Sequence, residues 1–428
     1  MEHTVQHTQH TSDVYYPQLD NIKAAATVLQ DVATVTPLLN NINFSKKYDA
    51  QILLKREDLQ QVRSYKIRGA FNKIHSLSQQ ELLQGVICAS AGNHAQGVAL
   101  SCYIKKIQGT IVMPAPTPKQ KIEQVAMFGG DYVTIKLLGD TFDDAYLEAK
   151  KIAQEAHLCF IHPFDDAKII EGQATVGLEI LSQYDKPIDY VFIPIGGGGL
   201  AAGLSTVFKQ YSPSTKLIGV EPIGAPSMQQ AFEHNHNIKL ETIDKFVDGA
   251  AVQQVGSLTY PICKANIDIV TTVPEGAVCQ TILDMYNKDA IVVEPAGALT
   301  LAALAYHKED IKGKTVVCIV SGSNNDITRT AEIEERALLF GGLKHYFIVR
   351  FPKRAGALKE FVINILGERD NISFFEYSKK TNREKGSAVV GIELEQKEDL
   401  EPLIQRMKAQ KFFEEYLNDK PSLFEFLV

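Results

Sequence analysis

A series of short runs between residues 50 and 325 is almost unbroken in apolar and β-branched residues: GVICAS, TIVMPA, YVTIKLLG, YVFIPIG, KLIGVEP, IDIVTTV and TVVCIVSG. A strand with one wet face alternates polar and apolar residues. Runs that stay apolar suit strands covered on both faces, as in a parallel sheet. Between them lie segments of helical pattern such as LAAGLSTVFKQY and GALTLAALAYHKED. This alternation predicts an open, doubly wound α/β fold. Ligands in such sheets bind beyond the carboxyl ends of the strands, so the loops after each run are where chemistry is expected.

The pattern changes near LLFGGLKHYF. Beyond Gly341-Gly342 the chain is more charged and reads strand (HYFIVRF), helix (GALKEFVINIL), strand (SFFEYSKK), strand (SAVVGIEL) and helix (EDLEPLIQRMKAQ), with LFEFLV as a last strand. That order predicts a ferredoxin-like module. The expected organisation is a catalytic domain over residues 1–340, built of two α/β subdomains, and a smaller domain over 343–428.

The remaining bulk properties exclude other classes. A net charge of -7 offers no electrostatic footprint for nucleic acid. No apolar run reaches the roughly 20 residues that span a bilayer, and the polar opening MEHTVQHTQHTSD has no signal-peptide core, so a cytoplasmic protein with no membrane partner is expected. Cys88, Cys102, Cys159, Cys263, Cys279 and Cys318 form no C-x-x-C pair and read as reduced core residues. His3, His7 and His10 read as a frayed tail in preference to a metal site, and no metal is expected.

Candidate chemistry collects in the loops. Lys66, in SYKIRGA, places a charge where a buried helix begins, which is unusual unless the charge has a task. CASAGNHAQG ends a strand and opens a helix. The backbone of Ser90, Ala91, Gly92 and Asn93 can hold an anion there, or Ser90 or Asn93 can serve as a local helix cap. In IPIGGGGLAAG, Gly196, Gly197, Gly198 and Gly199 run directly from strand to helix, where a bare backbone can wrap a phosphate. No Gly-Lys-Ser/Thr follows, so it is not a P-loop. Ser321 ends the strand TVVCIV with a neutral hydroxyl, and Glu294, before Pro295, reads as a helix cap. A lysine, a phosphate cradle, an amide and a hydroxyl together suit pyridoxal phosphate, with desolvation easing the loss of the lysine proton.

SYKIRGA, SAGNHAQGVA, VMPAPTPKQK, PIGGGGLAAG, GVEP, EPAGA and VSGSN, in this order, resemble the fold-type II pyridoxal-phosphate enzymes with the tryptophan synthase β-like fold, and most closely the threonine dehydratases. The likeness covers residues 14–340, and FPKRAGALKEFV resembles their ACT-like regulatory domain, present here once. The resemblance implies Lys66 as the Schiff-base lysine and catalytic base, and Asn93 at the ring's phenolic oxygen. It also implies Gly196–Leu200 around the phosphate, Ser321 at the pyridine nitrogen, and Ser90–Asn93 at the substrate carboxylate. Racemase relatives carry serine where this chain has Ala91. Relatives that bind a divalent cation pair a Glu with an Asp six residues on, where Glu221 is here followed by Ser227. The implied activity is deamination of L-threonine to 2-oxobutanoate for isoleucine synthesis, in a homotetramer answering to isoleucine or valine. The alternative is a catabolic dehydratase acting on L-serine as well.

Overall fold

The computed structural model describes residues 15–352, 354–378 and 385–427, so His3, His7 and His10 lie outside the described residues. The chain divides into two compact units. One comprises the described residues up to Glu275 together with Asp284–Asp326, and the other comprises Gly276–Leu283 and the described residues from Ile327 onward. The helix Thr330–Phe340 thus belongs to the second unit, ahead of Gly341-Gly342.

The first unit holds two sheets. The strands in chain order are β1 (Leu38–Asn40), β2 (Gln51–Arg56), β3 (Val86–Ala89), β4 (Gly109–Met113), β5 (Val133–Leu137), β6 (Cys159–Phe160), β7 (Tyr190–Pro194), β8 (Lys216–Pro222), β9 (Ile269–Val273) and β10 (Thr315–Val320). Six form the sheet β1-β2-β10-β7-β8-β9 and four the sheet β5-β4-β3-β6. Every pairing is parallel except that of the edge strand β1 with β2. The central strands β3, β7 and β10 are buried nearly end to end, the consequence of helices on both faces. Val191, Ile193, Val317 and Ile319 pack with Leu204 and Phe208 under the larger sheet, and Val86, Cys88, Ile111 and Val98 under the smaller. All six cysteines are free, and five are buried.

In the second unit, β11 (Lys344–Pro352), β12 (Asn371–Ser378), β13 (Lys385–Glu393) and β14 (Phe413–Tyr416) form an antiparallel sheet in the order β12-β13-β11-β14. With the helices Ala357–Asn364 and Leu400–Ala409 this is a ferredoxin-like βαββαβ module. One expectation is overturned: LFEFLV is not the last strand. FEEY occupies that edge of β11, and residues Pro421–Leu427 form a helix. Beyond Tyr416 the edge groups of β11 are already satisfied by Asn418, which accepts from Tyr346 N and donates to Lys344 O, while the Phe424 ring packs edge-on against Tyr346 at 5.2 Å. That edge of β11 therefore has no open position for LFEFLV.

Among the described residues, no helix is long and apolar enough to cross a membrane.

Candidate active site

In the larger sheet, β2, β10 and β7 are neighbours, and the loops after their carboxyl ends carry Lys66, Ser321 and the glycine run respectively. The first two loops are stitched together by an antiparallel bridge between Ser64 and Gly322 and by Tyr65 N donating to Ser321 O at 3.3 Å. Asn93 arrives from the smaller sheet, at the start of the helix that follows β3. Lys66, Asn93, Gly196, Ser321 and Glu294 line one pocket, with Tyr65, Pro194, Gly249, Ala250 and Ala296 completing its wall.

Lys66 is the first residue of the helix Lys66–His75, most of whose other residues are buried. Its amine donates to Pro163 O at 3.0 Å and lies 5.4 Å from the centre of the Tyr65 ring. Desolvation lowers its pKa to about 8, with Glu294 pulling weakly the other way. The nearby His94 and His162 are held neutral, at about 3 and about 4, chiefly by burial. Their rings accordingly serve local geometry. His94 Nε2 is 2.9 Å from Ile161 O, and His162 Nδ1 accepts from Asp165 N at 2.8 Å.

The glycine run is shaped by close approach. A Cβ on Gly197 would stand 2.2 Å from the Phe164 ring, and Gly198 has a φ of 90°, which side chains resist. Gly197 O is taken by Gly256 N at 3.1 Å and by Thr259 Oγ1 at 2.6 Å. The helix Gly199–Tyr211 starts here, and the first amides of any helix have no partner within it. Leu200 sits in that first turn and is buried. A backbone cradle at a helix start, facing a pocket that also contains a desolvated amine, fits a phosphate-bearing aldehyde cofactor.

Asn93 is fixed from two sides. Its Nδ2 donates to Glu294 Oε1 at 2.7 Å, and its Oδ1 accepts from Asn324 Nδ2. One N–H of the amide is left for the pocket. Ser90 keeps a local role, accepting from Gly92 N at 3.2 Å, and Ser90, Ala91 and Gly92 remain partly exposed ahead of the helix.

One acid, Glu294, departs from its sequence reading as a helix cap, and a second, Glu221, is taken up by a neighbouring helix. Glu294 occupies the cap position of the helix Pro295–Ala303, but its side chain makes no cap bond. The carboxylate turns instead to Asn93 and to Asn324 N at 3.2 Å. Pro295 supplies no N–H to cap, and the space over Gly322 admits the carboxyl. Burial, helped by Asp248, pushes its pKa up to about 7 against the hydrogen bond from Asn93. Glu221 is fully buried and accepts from Met228 N at 2.7 Å and Gln229 N at 2.8 Å, so it caps the helix Ser227–His234. Among the described residues no cluster of His, Cys, Asp or Glu is arranged to hold a metal.

Sequence reading also passed over the segment His162–Asp166, which lies directly after β6. The signal available was positional, a polar and aromatic turn just beyond a parallel strand.

Residues 29–322 match the family model of pyridoxal-phosphate dependent enzymes, and residues 335–427 match the C-terminal regulatory domain of threonine dehydratase. The chain is 52% identical over 411 residues to the biosynthetic L-threonine dehydratase IlvA of Halalkalibacterium halodurans, covering 96% of this chain and 99% of that relative. It is 50% identical to the Bacillus subtilis protein of the same name, covering 96% and 97%. Among solved structures, the processed form of threonine deaminase isoform 2 from Solanum lycopersicum matches with 41% identity and a TM-score of 0.71, covering 76% of this chain and 90% of that one. Maize serine racemase matches with 30% identity and a TM-score of 0.70, covering 76% and 98%.

Proposed function

The chain belongs to the pyridoxal-phosphate-dependent enzymes, and within them to the threonine dehydratases with a C-terminal regulatory domain; from that membership we propose that it is an L-threonine ammonia-lyase. It converts L-threonine to 2-oxobutanoate and ammonia, the opening step toward isoleucine. The observation that carries this reading is the meeting of Lys66, Asn93, Gly196 and Ser321 in one pocket at the ends of adjoining strands.

Pyridoxal phosphate, when bound, supplies the electron sink that makes the substrate's α-hydrogen removable. The chain supplies the rest. Lys66 would hold the cofactor through its amine and would be the base for the substrate's α-proton; burial, which lowers its pKa to about 8, eases the loss of the lysine's own proton. The amides of Gly196–Leu200 hold the phosphate at the helix start. Asn93, fixed by Glu294 and Asn324, would offer its free N–H to the ring's phenolic oxygen. Ser321, on the pocket wall, would meet the ring nitrogen with a neutral hydroxyl, which would not force a proton onto it. The amides of Ser90, Ala91, Gly92 and Asn93, at the start of their helix, hold the substrate carboxylate.

The second unit takes an amino-acid effector, isoleucine or valine, and the enzyme works as a cytoplasmic homotetramer. The match to the regulatory domain supports the first of these. Formation of 2-oxo acid from threonine and from serine, with and without isoleucine or valine, tests the whole reading. The expected result is faster turnover of threonine than serine, with a shift in threonine saturation on adding isoleucine. Equal use of both substrates and no response to either effector would favour a catabolic dehydratase.

A further inference from the structure

Contacts made by four consecutive residues, Pro163 to Asp166, set the relation between the lysine and the phosphate cradle. Pro163 O holds the amine of Lys66 at 3.0 Å. The Phe164 ring lies against Gly197, and the backbone of Phe164 lies 3.1 Å from where a Cβ of Gly199 would be. Asp165 accepts from Ser257 N at 2.9 Å, Ser257 Oγ at 2.8 Å and Leu258 N at 2.8 Å. That pins the turn whose Gly256 N and Thr259 Oγ1 both bond Gly197 O. Asp166 caps the helix Ala167–Gln183 through Lys168 N and Ile169 N, and pairs at 2.8 Å with Lys73 on the helix that begins at Lys66.

We propose that His162–Asp166 is an alignment brace for the cofactor site, with Asp165 a positioning residue that holds the glycine run in register with the amine of Lys66. The inference rests on the cofactor reading above and extends it to residues outside the pocket wall. The glycine run has little side-chain packing of its own, so its shape is imposed from outside, by the Phe164 ring on one side and by the Gly256–Thr259 turn on the other. Asp165 joins those two supports. His162 completes the turn by accepting from Phe164 N and Asp165 N with a neutral ring, which points the Asp165 carboxylate outward to residue 257.

The brace separates affinity from chemistry. Asp165→Ala should loosen the cradle without touching Lys66, Asn93 or Ser321. Pyridoxal phosphate titrated into the cofactor-free chain should bind at least fivefold more weakly, while turnover per bound cofactor changes less than twofold. Independently of any cofactor, amide hydrogen exchange across residues 196–200 should accelerate about tenfold. Asp165→Asn keeps an acceptor oxygen for one backbone N–H and should fall between the two, and Asp185→Ala, an exposed acid elsewhere, should match the native chain. A lower melting temperature in Asp165→Ala with unchanged exchange at residues 196–200 and unchanged cofactor affinity would overturn the proposal. A native chain that binds no pyridoxal phosphate would overturn the cofactor reading instead, and the exchange measurement would still decide the brace.

Discussion

Two lysines lie eleven residues apart in this chain and meet opposite treatment. Lys55, near the end of β2, is fully buried, yet its amine reaches Glu179 at 2.5 Å, Thr36 O at 2.6 Å and Gln183 at 3.2 Å. Around it, Arg68 joins Glu57 at 2.8 Å and Glu179 at 2.6 Å, closing a buried ionic cluster. Lys66 has one neutral carbonyl at 3.0 Å and a single acid, Glu294, on its pocket wall. Burial lowers the pKa of both amines. Their partners decide their roles: a charge bonded on three sides is structure, whereas a charge given one dipole is ready to lose its proton. Arg68 belongs to the first group and sits on the same helix as Lys66, so the cluster also anchors the helix that begins at Lys66.

The sharpest break of this comparison is a pair of substitutions. Lys66→Ala should cut 2-oxo acid formation on the order of 10³-fold or more, since holder and base are lost together. The stability of the cofactor-free chain should stay within about 1 kcal/mol. Borohydride reduction of the native enzyme should leave the cofactor on the peptide containing Lys66, and label on another lysine would undo the assignment. Lys55→Met should do the reverse. Opening a buried ionic cluster costs about 3–5 kcal/mol, read by urea denaturation, with turnover per folded molecule preserved.

Acidity sharpens the contrast further. Glu294 has its pKa raised from 4.5 to about 7, so its stabilising contribution is complete below about pH 4.5 and is lost as pH rises through 7. That shift corresponds to about 3 kcal/mol. Cofactor-free Glu294→Gln should show a flatter fall in stability across that window. In the native chain, Lys66 gains a charged neighbour over the same window, whereas near Lys55 the Glu57 carboxyl, although buried, is held below its usual range by Arg68. A native stability profile unchanged by Glu294→Gln would mean that the carboxyl is not buried as described. The smallest effect expected is that of Ser321→Ala, a loss of about 0.5–1.5 kcal/mol in cofactor affinity measured by titration.

The same contrast explains what could be read from the chain beforehand. Strands rich in valine and isoleucine, such as those at Tyr190–Pro194 and Thr315–Val320, announce themselves because they are buried on both faces. β2 does not, because QILLKR ends in two charges whose partners, Glu179 and Asp58, lie elsewhere in the sequence or around a turn. β6 is too short to leave a pattern. Lys66, Asn93, Ser321 and the glycine run were legible as chemistry-bearing types in loops after strands. The turn of Glu294 away from its own helix was not, since it depends on Asn93 and Asn324 arriving from distant segments. LFEFLV misled because a short, nearly continuous apolar run fits a strand or a buried turn of helix equally well.

The order of strands in the larger sheet has a consequence for the chain as it is made. β10 lies between β2 and β7, and its Thr315 aligns with Gln51, 264 residues earlier. At roughly 5–20 residues per second, a ribosome needs on the order of tens of seconds to deliver the central strand after its neighbour β2 has emerged. Until β10 arrives, β2 presents an unpaired edge, and from its own later emergence so does β7, the kind of surface on which chains stick to one another. Ser321 emerges directly behind β10, so the sheet is closed and the pocket wall completed by the same late stretch of synthesis. A nascent chain therefore gains protection from aggregation and the capacity to take up its cofactor together, and an interrupted one gains neither.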